Sequence, residues 1–184
     1  LDLKIAFTWD YEMFFGHTSG SVKHCMIEPT NRLLEIAKRH ESKFTFFVDT
    51  GMLAKGGDNE SFTSDLKRIK KQIKEWDTHG HETGLHIHPH WKDATWKDGW
   101  KFDLSRYKLS DFNSKEVSLL FNEYHKVLQS CVKQKIISYR AGGWCVQPFS
   151  DIKKSMEHNQ LRIESSVFSG GKNTIHPYYY DFTK

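Results

Sequence analysis

Five of the chain's eleven histidines fall in one stretch of twelve residues, His79, His81, His86, His88 and His90. A histidine that merely packs or hydrogen-bonds usually stands alone, so such a cluster points to metal binding or proton transfer. His86 and His90 are separated by three residues. On a helix that spacing puts both rings on one face, but Pro89 lies between them and disfavours a helix. A strand end that turns brings the two rings together as well. His81-Glu82 invites comparison with a zinc-protease HExxH helix, but the next histidine comes one residue too late and Gly84 interrupts the run, so that reading is rejected. The bland alternative is a set of loop histidines that only hydrogen-bond.

Asp10-Tyr11-Glu12 is a second constellation. In extended chain, residues two apart share a face. Two carboxylates there repel unless a cation lies between them or they do separate jobs. A metal ligand beside a general base meets both conditions, whereas a lone strand-end Asp is commonly a turn or helix cap. One carboxylate and two histidines form a common three-ligand set for Zn²⁺ that leaves room for water. Tyr139-Arg140-Ala141-Gly142-Gly143-Trp144 is a third. An arginine at a strand end can fix a carboxylate, and paired glycines let backbone N–H groups approach a substrate. Its bland counterpart is a glycine turn with a surface arginine. Trp91, Trp96 and Trp100 crowd one loop, either to stack on sugar rings or to pack that loop onto the domain.

These residues need elements to position them. Leu3, Ile5, Phe7 and Trp9 alternate with polar or small residues at strand period. A helix opens at Pro29, and Phe44–Val48 is a second strand. Gly51, Gly56 and Gly57 mark a loop. Leu66, Ile69, Ile73 and Trp76 form one stripe of a long helix. The basic run from Lys67 to Lys74 is then its solvated face rather than a phosphate patch. Thr83–Ile87 is a third strand, and 88–111 reads as a long loop. Val117, Leu120, Phe121, Tyr124, Leu128 and Cys131 form a further helical stripe. Ile136–Tyr139 is a fourth strand, a helix follows Pro148 to near His158, and Leu161–Ile163 begins a fifth strand. The alternation predicts a mainly parallel sheet covered by helices, open or closed into a barrel, in one domain over 1–184. Chemistry in such folds gathers where strands end. Asp10 and Glu12, the histidines, Arg140 and Glu164 all stand at such places.

Composition bounds the rest. In 184 residues, 38% are hydrophobic and 14% aromatic, which argues against disorder. There is no apolar run long enough to span a bilayer and no visible secretory leader. A net charge of +4 is too small to argue nucleic-acid binding. Cys25, Cys131 and Cys145 form no CxxC pair, which fits a reducing compartment. Cytoplasmic residence is the expectation.

The order of motifs resembles the polysaccharide deacetylases, the NodB-homology carbohydrate esterases, over nearly the whole chain. Phe7-Thr8-Trp9-Asp10-Tyr11-Glu12 is similar to a divergent first motif, and Phe44–Val48 to the strand after it. Gly80-His81-Glu82-Thr83-Gly84-Leu85-His86-Ile87-His88-Pro89-His90 resembles a Gly-His-Glu-Ile-Gly run leading into HxxxH. Arg140 matches a third-motif arginine, here without the family's proline, and Glu164-Ser165-Ser166 loosely resembles the fourth motif. The resemblance implies a distorted (β/α) barrel with fewer than eight repeats, and removal of acetyl groups from N- or O-acetylated sugars with a divalent metal, Zn²⁺ foremost. It implies Glu12, His86 and His90 as ligands, with His81 and His88 off the site. It makes Asp10 the base, Arg140 its orienting partner, Gly143 N–H an oxyanion donor and Glu164 the support of Arg140. The family's final general-acid histidine is not found. The pattern is therefore expected to continue past Lys184, with His176 the candidate acid otherwise. A deformylase or cyclic amidase, a non-catalytic sugar-binding relative and a two-His-one-carboxylate iron oxygenase are the alternatives, the last disfavoured by the alternating elements.

Overall fold

The computed structural model describes residues 3–13 and 20–171. His176 and the aromatic run after it lie outside the described residues. Five strands form one parallel sheet: β1 (Phe7–Tyr11), β2 (Phe44–Asp49), β3 (Glu82–Ile87), β6 (Ser138–Ala141) and β7 (Ile163–Glu164), in the order β1-β2-β3-β6-β7. Helices α1 (Glu28–Arg39), α3 (Thr63–Thr78), α4 (Ser114–Gln129) and α5 (Phe149–His158) occupy the connections, as the alternation requires.

Strand period divides the sheet into two unlike faces. Facing the helices are Tyr11, Phe44, Phe46, Val48, Leu85, Ile87, Tyr139 and Ala141, all buried. Trp76 of α3 stacks on Phe46 with ring centroids 4.5 Å apart, and its indole N–H donates to Thr83 Oγ1 at 2.8 Å. The basic residues of α3, Lys67, Lys70, Lys71 and Lys74, are exposed. α4 is held at its start by Asn113 and Glu116, each side chain accepting from the other's backbone N–H.

Two local expectations fail for physical reasons. The glycines at 51, 56 and 57 belong to helix α2 (Thr50–Gly57), not to a loop. A Cβ on Gly51 would lie 2.4 Å from Trp91, and one on Gly56 would lie 2.6 Å from the Phe62 ring, so two of these glycines serve close packing. Pro29 stands in the first turn of α1, as expected. A wide turn over Lys23–Ile27 precedes it and runs into α1. Proline has no N–H and displaces the carbonyl four residues back, which a π-type turn accommodates. Within 88–111 a short hairpin forms, β4 (Thr95–Trp96) with β5 (Trp100–Lys101). Trp91 and Trp100 are buried against each other at 5.1 Å, so they pack this segment onto the domain.

Candidate active site

The other face of the sheet carries the polar residues. By the same two-residue period, Thr8, Asp10 and Glu12 share a side at β1, Phe47 and Asp49 at β2, Glu82, Gly84, His86 and His88 along β3, and Ser138 and Arg140 at β6. Parallel register sets Asp49 opposite His86 and His86 opposite Arg140. The C-terminal ends of four strands thereby meet.

Glu12 is the centre of the cluster. One of its oxygens, Oε2, lies 2.8 Å from His88 Nε2 and 3.3 Å from His86 Nε2. His86 is further fixed by its Nδ1, 2.8 Å from the Arg140 backbone oxygen. A carbonyl only accepts, so Nδ1 carries the proton and Nε2 is the nitrogen presented to Glu12. Burial alone would raise the Glu12 carboxyl, but hydrogen bonds and charge from the two imidazoles outweigh it and hold the group at about 2. Burial would lower His86, and its contact with Glu12 reverses the sign and raises it.

One ligand atom each from Glu12, His86 and His88 lies within 4.8 Å of the others. One carboxylate and two imidazoles, both rings buried and one already oriented by a carbonyl, fit a divalent ion of the zinc type. Here the structure departs from the expected ligand set. His88, expected off the site, completes the trio in place of His90. β3 stays extended to Ile87, so His86 and His88 project from one face. Pro89 then opens a 3₁₀ turn, and His90 lies outside the trio with its ring centroid 5.2 Å from that of His88. His90 is fully buried, with its ring stacked on Tyr107 at 5.7 Å and edge-on to Phe102 at 5.0 Å. Burial, then the charge of His88, pushes it down to about 3. His81 lies at the other end of β3, where its Nδ1 accepts the Phe44 N–H at 3.1 Å.

Beside the trio, Arg140 binds Asp10. Its guanidinium donates to Asp10 Oδ1 at 2.6 Å, Thr8 Oγ1 at 2.9 Å and Ser165 Oγ at 2.9 Å, while Nε donates to the Ser165 carbonyl at 3.1 Å. Its flat face rests on the Phe47 ring, 4.1 Å from the centroid. Glu164, expected to support this arginine, instead accepts from the Ser166 N–H at 2.8 Å and from the Ser166 hydroxyl. Burial raises its carboxyl, and Ser165 does the supporting. Three strand steps separate β1 from β6, roughly 14 Å in a flat sheet, which is more than an arginine can span. The sheet is therefore strongly curled around these side chains.

Past Arg140, Gly142 and Gly143 run close to two rings. A Cβ on Gly142 would meet His88 Nδ1 at 2.5 Å, and one on Gly143 would meet the Tyr107 hydroxyl at 2.5 Å. Gly143 and Trp144 both have φ near +57°, glycine's natural region but a strained one for tryptophan, and Trp144 is 58% exposed.

Two residues here escaped the sequence. Asp49 is 1% exposed, and its Oδ2 accepts the Trp91 indole N–H at 2.5 Å. Burial first, with Glu12 adding to it, raises the carboxyl to about 6. Its signal was its place at the end of β2, the same signal that singled out Asp10 and Arg140. Tyr107 had none, because only the path of the 88–113 segment returns it to the site.

No family model matches the chain, and no curated protein matches it. Solved structures do. A mutant of BA3943, a CE4-family pseudoenzyme, aligns with TM-score 0.55 at 18% identity over 87% of this chain and 43% of its own. The peptidoglycan N-acetylglucosamine deacetylase Bc1960, complexed with an N-hydroxybenzamide derivative, aligns with TM-score 0.55 at 16% identity over 86% of this chain and 55% of its own. A Mycobacterium smegmatis protein described as a polysaccharide deacetylase gives TM-score 0.55 at 15% identity over 89% and 50%. The chain thus spans about half the length of these proteins. At these identities what it shares with them is the fold, and its architecture is the NodB-like polysaccharide deacetylase fold.

Proposed function

We propose that this chain is a metal-dependent hydrolase that removes an acetyl group from an N-acetylated or O-acetylated sugar of a polysaccharide or its precursor. The observation that carries this reading is the meeting of Glu12, His86 and His88 beside an Asp10 clamped by Arg140. Glu12, His86 and His88 would hold the ion, with zinc the first choice. A divalent ion bound there would supply Lewis acidity, making nearby water more acidic and, by polarising the acyl oxygen, the acyl carbon more electrophilic. Asp10, kept in one orientation by Arg140, takes the proton of the attacking water, a role typically worth about 10²–10⁴-fold. The Gly143 N–H would be the backbone donor to the oxygen that gains charge. Two pseudoenzyme-type and deacetylase-type neighbours share the fold, so the intact Asp10–Arg140 pair is the feature that favours catalysis here.

The test is acetate release from N-acetylglucosamine oligomers and acetylated xylan, with zinc or cobalt added. Wild type should release acetate, and Asp10→Asn should lose about 10²-fold or more while keeping its metal. Formate release or cyclic-amide opening in place of acetate release would make it another amide hydrolase on this fold. Sugar binding without any turnover would make it a non-catalytic relative.

A further inference from the structure

The 88–113 segment crosses the site, and one side chain of it ends there. Tyr107 stacks almost parallel on the buried His90 ring, at 5.7 Å and 5°, and its ring centroid lies 6.3 Å from that of His88. Its hydroxyl occupies the space that a Cβ on Gly143 would need. The neighbouring Gly142 makes the same room for His88. The backbone at 142–143 is thus wedged between one imidazole of the Glu12 cluster and the Tyr107 hydroxyl. Both glycines are required by these approaches, since any side chain would expel one partner or the other.

We propose that Tyr107 is a catalytic residue, its hydroxyl donating a hydrogen bond to the acyl oxygen as that oxygen becomes an oxyanion. This rests on the hydrolase reading above. The step balances with groups already named. Water adds to the acyl carbon, its proton passes to Asp10, and the carbonyl π pair moves onto the oxygen that accepts from Tyr107. On collapse the pair returns, the C–N bond breaks, and the proton held by Asp10 goes to the leaving nitrogen. Tyr107 keeps its proton throughout. Stacking on His90 fixes the ring before substrate arrives, which is what a preorganised donor requires.

The experiment compares wild type with Tyr107→Phe, which retains the stacked ring. Zinc content and KM should be unchanged, and kcat should fall about 10²–10³-fold, the usual effect of losing one oxyanion donor. A methylphosphonamidate of glucosamine, a tetrahedral anion, should bind the variant more weakly by a similar factor, while free acetate binds both equally. Gly143→Ala should reproduce the loss in kcat by displacing the hydroxyl. An active wild type whose Tyr107→Phe variant keeps both kcat and phosphonamidate affinity overturns this role alone, as does a variant that loses zinc. A wild type with no hydrolytic activity overturns the hydrolase reading instead.

Discussion

Glu12 carries two imidazoles on one carboxylate oxygen, and that single atom decides which histidines matter. His86→Ala and His88→Ala should each reduce bound zinc, measured by elemental analysis after dialysis, from about one per chain to a small fraction. His90→Phe should keep it. Zinc loss in His90→Phe with full retention in His88→Ala would restore the HxxxH pairing. His90 has a second consequence. A histidine held near 3 in the fold and near 6.5 when unfolded takes up its proton in the unfolded chain first, so its contribution opposes folding as pH falls below 6.5. The slope is about 1.4 kcal/mol per pH unit. Relative to His90→Phe, wild type should lose about 2 kcal/mol in urea denaturation between pH 7 and pH 5, and parallel curves would refute it. Asp10, Glu12 and Arg140 were legible because strand ends in such sheets gather chemistry. His88 was not, because the order of motifs pairs His86 with His90, whereas the extended chain puts His88 on the same face as His86.

Among the elements, β3 does the most, with one face in the core and the other in the site. Gly84 is its least conspicuous residue. A Cβ there would come within 2.6 Å of the Phe47 ring, the ring on which Arg140 rests. Gly84→Ala should therefore cost about 1–3 kcal/mol, as overpacking does, and lower kcat with zinc binding intact, read from denaturation and acetate release. Unchanged stability would show that Phe47 yields freely. The strands and the helices α3, α4 and α5 could be read from periodicity, because each buries one stripe. α2 could not, since its glycines mimic turn punctuation while serving contacts with Trp91 and Phe62, distant partners that a local pattern does not contain.

At the scale of the molecule, the described residues form a curled sheet whose inner face is organised by ion pairs and hydrogen bonds. A ligand that binds only the folded arrangement stabilises it by mass action, about 2.7 kcal/mol at one hundred times its dissociation constant. Zinc at that excess should raise the melting temperature by roughly 5–10 °C, taking about 2–4 °C per kcal/mol for a domain of this size. The shift should vanish in His88→Ala, and an equal shift in both proteins would locate the ion elsewhere. The overall class of fold was plain from the alternation of elements, whereas the curl was legible only through the resemblance, which implied a distorted barrel, because no local pattern shows Arg140 reaching across to Asp10. That reach has a consequence in time. Glu12 and His88 are 76 residues apart, but Arg140 and Asp10 are 130. During synthesis the three strands that carry Glu12, His86 and His88 emerge before β6 delivers the arginine. Under the proposed function the metal ligands would then be available early and the oriented base only late, so a half-made chain would have the means to hold an ion before the means to use it.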